Sequence, residues 1–361
     1  MGEENQLAPI RAKIDAIDEQ ILALISERAR LAQEVARVKR AAGEVSDFYR
    51  PEREAEILRR VKANNPGPLP DEAVQRLFRE LMAACLALQQ PLKVAYFGPE
   101  GTYTHAATLK HFGSAAQLSP LATIDLVFRD VETGAANYGV VPVENSTEGV
   151  VTHTLDRFLT SPLQIVGEVD LPVRHNLLSR SASIGEIRKI YAHQQSFGQC
   201  RGWLDTHLPG VAREAVSSNA EAARRAAAEP GTAAIASEAA AEIYGLTIVH
   251  ANIQDSAVNT TRFLIIGRQS PPPTGDDKTS LVVSRSNQPG GLFKLLEPLA
   301  RHGLNMTRIE SRPSRQGMWE YVFFIDLAGH VEDPVVKTAL EEMRAQASLL
   351  KVLGSYPRAA R

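Results

Sequence analysis

The sequence predicts a multidomain chain: an all-α helical bundle, then an α/β segment, then an α+β segment of order βαββαβ. Three observations carry this. Residues 1–91 place apolar side chains at helical spacing throughout. Residues 92–268 alternate short apolar runs with Ala-rich helical stretches. Residues 279–361 read strand, helix, strand, strand, helix, strand. Between the last two, the Pro-rich stretch 270–277 marks a polar, stiff linker at 269–278. A length of 361 residues suits about two to three domains.

Charge and cysteine content exclude several classes. Forty Lys and Arg face 42 Asp and Glu, a net charge of −2 that argues against a strongly basic nucleic-acid binder but leaves room for a local patch. Two cysteines, Cys85 and Cys200, exclude a disulfide scaffold and a Cys-rich metal site. No apolar run reaches the roughly 18 residues of a membrane span, and Met-Gly-Glu-Glu-Asn is not a basic leader. The expectation is a cytoplasmic protein without membrane or nucleic-acid partners.

In the first segment Leu7, Ile10, Ile14, Ile17, Ile21, Leu24, Leu31, Val35 and Val38 step by three and four, a heptad seam. A helix over 7–40 is ~50 Å long, too long for 91 residues to cover, so a second chain is the simplest cover. Arg28 takes a seam position where an apolar residue is due. A buried guanidinium needs an anion. That anion is either Glu27 or Glu34 of a neighbouring chain, unless the Arg snorkels, or an anionic ligand inside the bundle. Arg11 and Lys39 lie beside the seam, ~25 Å and ~16 Å from Arg28 in opposite directions. Only Arg11 of an antiparallel partner would reach a site at Arg28.

A second helix carries Arg53 and Glu54. A third carries Val74, Leu77, Phe78, Leu81, Cys85 and Leu88 on one stripe, with Gln89 beside it. This set resembles the all-helical type of chorismate mutase over residues 7–90. The resemblance implies Arg28 and the other chain's Arg11 on the substrate carboxylates, with Lys39 and Gln89 on the ether oxygen. It also implies Glu54 on the ring hydroxyl, and Arg53 as a further hydroxyl contact. Cys85 stands where some relatives have Ser, a minor substrate contact or simply packing, because a thiol donates weakly.

In the middle segment four strand ends run into polar helix starts. They are Gly98-Pro99-Glu100-Gly101-Thr102-Tyr103, Val141-Pro142-Val143-Glu144-Asn145-Ser146, His193-Gln194-Gln195-Ser196-Phe197-Gly198-Gln199 and Ala236-Ser237-Glu238. Helix starts offer free N–H groups to anions, and open α/β sheets bind ligands at their carboxyl edge. Each cluster alone also reads as ordinary capping. Asn259-Thr260-Thr261-Arg262-Phe263 adds a hydroxyl and a guanidinium, and no GxGxxG or P-loop is present, which disfavours nucleotide cofactors. The set resembles prephenate dehydratase over 93–267. That family's fold is two α/β lobes around a cleft, similar to periplasmic binding proteins, with crossovers here at 163–178 and 246–263. The resemblance implies Thr261 as the catalytic residue, a donor to the leaving hydroxyl. It places Asn145, Gln199, Thr102, Ser237 and Phe263 at the substrate. Arg262 is a carboxylate clamp by its chemistry. Glu144 and His193 are further candidate acids. No metal and no cofactor is implied.

The third segment has strands at 279–286, 305–312, 318–326 and 349–356, and helices at 292–302 and 334–347, a ferredoxin-like order. Pro289-Gly290-Gly291-Leu292 and Glu310-Ser311-Arg312-Pro313 resemble the ACT domain of dehydratases. The resemblance implies phenylalanine bound between paired subunits, with Gly290, Leu292, Asn305, Glu310, Ser311 and Arg312 as effector contacts. Gly291 replaces an Ala. Dimerisation alone is the plainer role for such a domain.

The expectation is a bifunctional enzyme, at least a dimer, that turns chorismate into prephenate and prephenate into phenylpyruvate, with phenylalanine as effector. Two rivals stay open. In one the helical segment is only a dimer clamp or regulator beside a working dehydratase. In the other the two-lobed unit is a non-catalytic sensor of aromatic acids.

Overall fold

A computed structural model describes residues 2–43, 49–286, 288–313 and 321–359. The chain divides into two compact units. One comprises Met1–Arg50, Ile57–Leu92 and Phe112–Gln117; the other comprises Pro51–Glu56, Lys93–His111 and Leu118–Arg361.

The helices of the first unit are α1 (Gly2–Ala41), α3 (Asp71–Gln89) and, from Ile57 onward, α2 (Pro51–Ala63). Pro51 opens α2 because its fixed φ suits a first helical position, and Glu52 and Glu54 follow where the helix dipole favours anions. The covered face of α1 is small: Ala36 is buried, Ala29 and Ala32 half-buried, and α1 packs mainly on α3. The seam itself stays open. Leu7, Ile17, Leu24 and Val38 are 42–69% exposed, as are their seam neighbours to similar degrees. Among the described residues, nothing covers α1 between residues 7 and 27.

The second unit holds three sheets. The first has order β2-β1-β3-β11-β5, with β4 beside β3. Its strands are β1 (Lys93–Phe97), β2 (Gln117–Leu121), β3 (Tyr138–Asn145), β4 (Gly149–Val150), β5 (Gln164–Pro172) and β11 (Thr260–Gly267). Helices α4 (Tyr103–Phe112), α5 (Ile124–Thr133) and α6 (Thr152–Thr160) connect them. The second sheet has order β10-β6-β9-β7-β8. Its strands are β6 (Asn176–Ser179), β7 (Lys189–His193), β8 (Ala212–Val216), β9 (Thr232–Ala236) and β10 (Thr247–His250). Its helices are α7 (Gln194–Gln199), α8 (Arg201–His207), α9 (Asn219–Ala228) and α10 (Glu238–Tyr244). The chain passes between the sheets twice, from β5 to β6 and from β10 to β11. The two crossings are tied where the Val173 N–H donates to the Asn259 carbonyl (2.8 Å).

The third sheet has order β13-β14-β12-β15, the ferredoxin-like arrangement. Its strands are β12 (Asp277–Ser284), β13 (Met306–Pro313), β14 (Tyr321–Ala328) and β15 (Leu349–Pro357), and its helices α11 (Gly291–Arg301) and α12 (Pro334–Gln346). Asn287 and residues 318–320, placed by the sequence in a turn and a strand, lie outside the described residues. One face of this sheet packs on its own helices through Leu281, Val283, Ile325 and Leu327. The other face carries Val282, Val322, Phe324, Leu353 and Tyr356 into the core of the first sheet. Residue 354 is glycine, at φ +154°, because any Cβ there collides with the Ile165 backbone.

The stretch 269–278 is therefore not a free linker. Pro271 is buried and its carbonyl accepts from His330 Nε2 (2.9 Å). Thr274 donates to Asp277, and Lys278 pairs with Glu168 at 2.7 Å. A shared apolar core outweighs the local stiffness that the Pro run signalled.

Candidate functional site

In the helical unit, Arg28 and Lys39 are half-buried on α1 and Gln89 is half-buried at the end of α3. The Arg40 guanidinium donates to the Gln89 carbonyl, so the ends of α1 and α3 meet one residue from Lys39. Cys85 is 3% exposed and packs in the interior. Arg11 is exposed on an unbroken α1, and the ~25 Å axial separation from Arg28 holds. Glu54 lies in the first turn of α2, and Arg53 there turns to Glu56 (2.5 Å) in an exposed pair. A single chain thus presents Arg28, Lys39 and Gln89, while Arg11 stands apart.

In the two-lobed unit a continuous row of hydrogen bonds crosses the junction of the two sheets. Asn145, at the end of β3, donates from Nδ2 to Thr261 Oγ1 (2.8 Å) and to Asn259 Oδ1 (2.8 Å). Its Oδ1 accepts the N–H groups of Thr147 and Glu148, a turn that fixes the amide orientation. Asn259 donates to Gln199 Oε1 (3.0 Å), and Gln199 Nε2 donates to Glu148 (2.9 Å). Gln199 Oε1 also accepts from His175 Nε2 (2.7 Å), whose Nδ1 lies 3.1 Å from the Tyr103 hydroxyl. Tyr103 in turn donates to the Arg174 carbonyl (2.7 Å). Thr261 accepts in this row, so its own proton is available to donate.

The row brings Thr261, Asn145 and Gln199 together, three residues singled out in the sequence. It also contains Tyr103, Glu148, His175 and Asn259, whose roles the sequence reading missed. Asn259 carried a signal: it stands two residues before Thr261, and strand side chains two apart share a face. His175 carried none, since its partners come from α4 and α7.

Four expectations are corrected. Arg262 is not a clamp beside Thr261. Adjacent strand residues point to opposite faces, and its guanidinium is consumed by Glu168 (2.8 Å), Asp326 (2.5 Å) and the Tyr356 hydroxyl (2.9 Å). Phe263 is 1% exposed and is core. Glu144 turns to Arg308 (2.6 Å) rather than to the row. His193 caps α7, its Nδ1 accepting from the Gln195 N–H. Two more residues have backbone duties. The Thr102 hydroxyl donates to the Pro99 carbonyl (2.9 Å), and the buried Ser237 hydroxyl to the Gly101 carbonyl (3.1 Å), fastening α10 to the loop before α4.

Burial holds the His175 imidazole below its ordinary pKa, against a raising contribution from Gln199. The unfolded chain binds a proton as pH falls below about 6.5, and the buried ring resists it. Stability therefore falls as pH drops through that value. His105, buried against Tyr96 and lowered likewise, acts in the same direction. His175→Gln is expected to flatten, without abolishing, the acid-side fall of Tm between about pH 7 and 5. An unchanged slope in thermal melts overturns the neutral assignment.

Beside α11 lies a cavity of about 250 Å³, lined by Gly290, Gly291, Leu292, Phe293, Tyr321 and Phe323 among others. Gly290 and Leu292, expected as effector contacts, line this cavity together with Gly291, Tyr321 and Phe323. Asn305, Glu310, Ser311 and Arg312 do not line it, and Arg312 pairs with Asp156 (3.1 Å). A Cβ on Gly291 meets only ordinary contacts, so its lost methyl leaves room. Among the described residues, no three His, Cys, Asp or Glu side chains are placed to hold a metal.

Three family models match the chain. Chorismate mutase type II matches residues 10–90, prephenate dehydratase residues 94–271, and the ACT domain residues 279–345. A protein named bifunctional chorismate mutase/prephenate dehydratase from Pseudomonas aeruginosa is 56% identical over 99% of this chain and 100% of its own length. The structure of a prephenate dehydratase in complex with L-Phe, from Arthrobacter aurescens, is 36% identical with a TM-score of 0.69. It covers 74% of this chain and 90% of its own. A structure described as a novel type of quorum-quenching acylase has TM-score 0.69 and 32% identity, over 74% of this chain and 98% of its own.

Proposed function

The chain belongs to the family of bifunctional chorismate mutase/prephenate dehydratases, and from this we propose that it converts chorismate to prephenate and prephenate to phenylpyruvate, with phenylalanine as inhibitor. The observation that carries the second activity is the Thr261–Asn145 rung at the junction of two sheets. Fold likeness alone would not suffice, since a structure of equal TM-score is described as an acylase.

The first reaction is a rearrangement without covalent catalysis. The ether C–O bond breaks and its oxygen gains negative charge, which preorganised donors stabilise. Lys39 and Gln89 serve that oxygen, while Arg28 and Arg11 of the partner subunit hold the carboxylates in the reactive conformer. Glu54 binds the ring hydroxyl. Arg53 and Cys85 contribute less, given the Arg53–Glu56 pair and the buried thiol.

The second reaction expels the ring carboxylate as CO₂ and the ring hydroxyl as water, and aromatisation drives it. The electron pair of the breaking C–C bond enters the ring, and the leaving hydroxyl takes a proton. Thr261, oriented by Asn145, gives that proton from its hydroxyl and is reprotonated by water afterwards. Thr102, Gln199 and Ser237 shape the site around it. Arg262 and Phe263 act from the other face of the strand and from the core.

The assembly is a dimer at least. Each α1 leaves its apolar seam exposed, and a second copy laid antiparallel covers it and delivers Arg11 to Arg28. Among the described residues no helix is long and apolar enough to cross a membrane, and the reading places the enzyme in the cytoplasm. The segments 1–91, 92–268 and 279–361 carry mutase, dehydratase and regulation.

One assay tests the reading. Chorismate is expected to yield phenylpyruvate through prephenate, and phenylalanine to slow the second step. Gly291→Leu, which adds a bulky side chain at the wall of the 250 Å³ cavity, is expected to raise the phenylalanine needed for half inhibition by about tenfold or more, the equivalent of ~1.4 kcal/mol. Chorismate left unconsumed would favour a mutase segment that only clamps the dimer. Prephenate left unconsumed would favour a sensor.

A further inference from the structure

The ladder between β3 and β11 sets Thr261 opposite Asn145 and, one rung on, Arg262 opposite Glu144. Alternation sends the two rungs to opposite faces. The first rung belongs to the hydrogen-bonded row. The second faces the third sheet, where Arg308 and Asp326 stand opposite each other across β13 and β14. Asp326 lies 2.5 Å from Arg262, and Arg308 lies 2.6 Å from Glu144. Two rungs from two sheets thus meet with charges crossed, a square of four ionised groups beside the catalytic rung.

Its edges are unequal. Arg262 spends Nε, Nη1 and Nη2 on Glu168, Asp326 and Tyr356. Burial alone would raise the Asp326 carboxyl, yet Arg262 and the Ser280 hydroxyl hold it below the usual range. That edge is tight. Arg308 Nη2, by contrast, is buried with no hydrogen-bond partner among the described residues. The Arg308–Glu144 edge is the adjustable one.

β14 connects the square to the effector cavity. Val322, Phe324 and Asp326 face the first sheet, while Tyr321 and Phe323, on the alternate face, border the cavity by α11. A ligand wedged against Tyr321 and Phe323 displaces the same strand that carries Asp326, because close-packed interiors transmit such shifts.

We propose that Glu144, Arg262, Arg308 and Asp326 are positioning residues for dehydration: they fix the rung next to Thr261 and Asn145 and pass the state of the effector cavity to it. The proposal rests on the dehydratase reading above. A displacement of one ångström at a reacting group costs about 10²-fold in rate, so a small slackening suffices. None of the four needs to touch the substrate.

The test uses the full chain, with Asp326→Asn, Arg308→Gln and the double variant, assayed on prephenate and separately on chorismate. Each single change is expected to lower kcat for prephenate about tenfold with KM within about twofold, because a positioning defect acts on the reacting hydroxyl and not on binding. Chorismate turnover is expected to stay within about twofold, which reports an intact fold. Half inhibition by phenylalanine is expected to move at least about fivefold. The double variant is expected to be little worse than the worse single, since both act on one rung. If Asp326→Asn does not fold, Arg262→Lys, which keeps the charge and loses the fork, carries the same expectation. Unchanged kcat, a loss confined to KM, or fully multiplicative losses in the double variant overturn the proposal. A wild-type chain that makes no phenylpyruvate overturns the dehydratase reading as well, whereas active wild type with indifferent variants overturns only the square.

Discussion

Thr261→Val is expected to slow phenylpyruvate formation by about 10²–10⁴-fold, the usual range for losing a positioned proton donor, and to leave chorismate turnover untouched. Valine keeps the volume and the β-branching of threonine, so β11 retains its conformation. What disappears is one hydroxyl. Asn145 loses an acceptor but keeps Asn259 and the two N–H groups of its turn, so the amide stays in place. The loss is therefore chemical and not a collapse of the row. Thr261→Ser keeps the hydroxyl, loses the methyl that restricts it, and is expected to fall between wild type and Val. Rates of phenylpyruvate appearance from prephenate decide this. A Val variant within tenfold of wild type would remove Thr261 from the proton path and shift attention to Tyr103 and His175, the other end of the row.

Much of this arrangement was readable in the chain because it is local. The α1 seam is a heptad, and among the described residues nothing covers it. Thr261 and Asn145 stood out as polar residues at strand ends. Arg262 misled because its chemistry was weighed without the strand's period of two, which alone sends it away from Thr261. Its true partners, Glu168 on β5 and Asp326 on β14, lie 94 and 64 residues away, and no local pattern encodes such distances. The docking of the third sheet did leave a trace. Tyr321-Val322-Phe323-Phe324-Ile325-Asp326-Leu327-Ala328 is almost continuously apolar, the mark of a strand covered on both faces. A helix-covered sheet with one wet face would have alternated. The same run contains Asp326, a buried carboxylate that demanded a cation from somewhere. The Pro-rich stretch before β12 drew the eye to a linker, while the signal for a shared core sat in the strand itself.

Arg28→Ala is expected to abolish most chorismate turnover, by on the order of 10³-fold, while prephenate consumption stays within about twofold. Holding the reactive conformer accounts for several powers of ten in such a rearrangement, and Arg28 is the carboxylate clamp that one chain supplies for it. The fold should bear the change. Arg28 is half-buried beside the half-buried Ala29 and Ala32, and Ala is the best helix former. A structural ion pair at this position makes the opposite forecast: lower Tm and unaltered turnover. The partner's contribution can be separated from it. Arg11→Ala is expected to lose chorismate turnover as well, although Arg11 sits ~25 Å along the helix from Arg28. If each site takes Arg28 from one subunit and Arg11 from the other, a mixed dimer of the two variants contains one complete site and one lacking both guanidinium groups. Random exchange after mixing makes about half the dimers mixed, each with one of two sites intact, so two nearly inactive proteins should together regain about a quarter of wild-type turnover. Sites built within single chains cannot do this, because every one of them would carry a defect whichever subunits pair. Recovery on mixing, measured after slow subunit exchange, therefore decides both the antiparallel dimer and the identity of the residues it brings together.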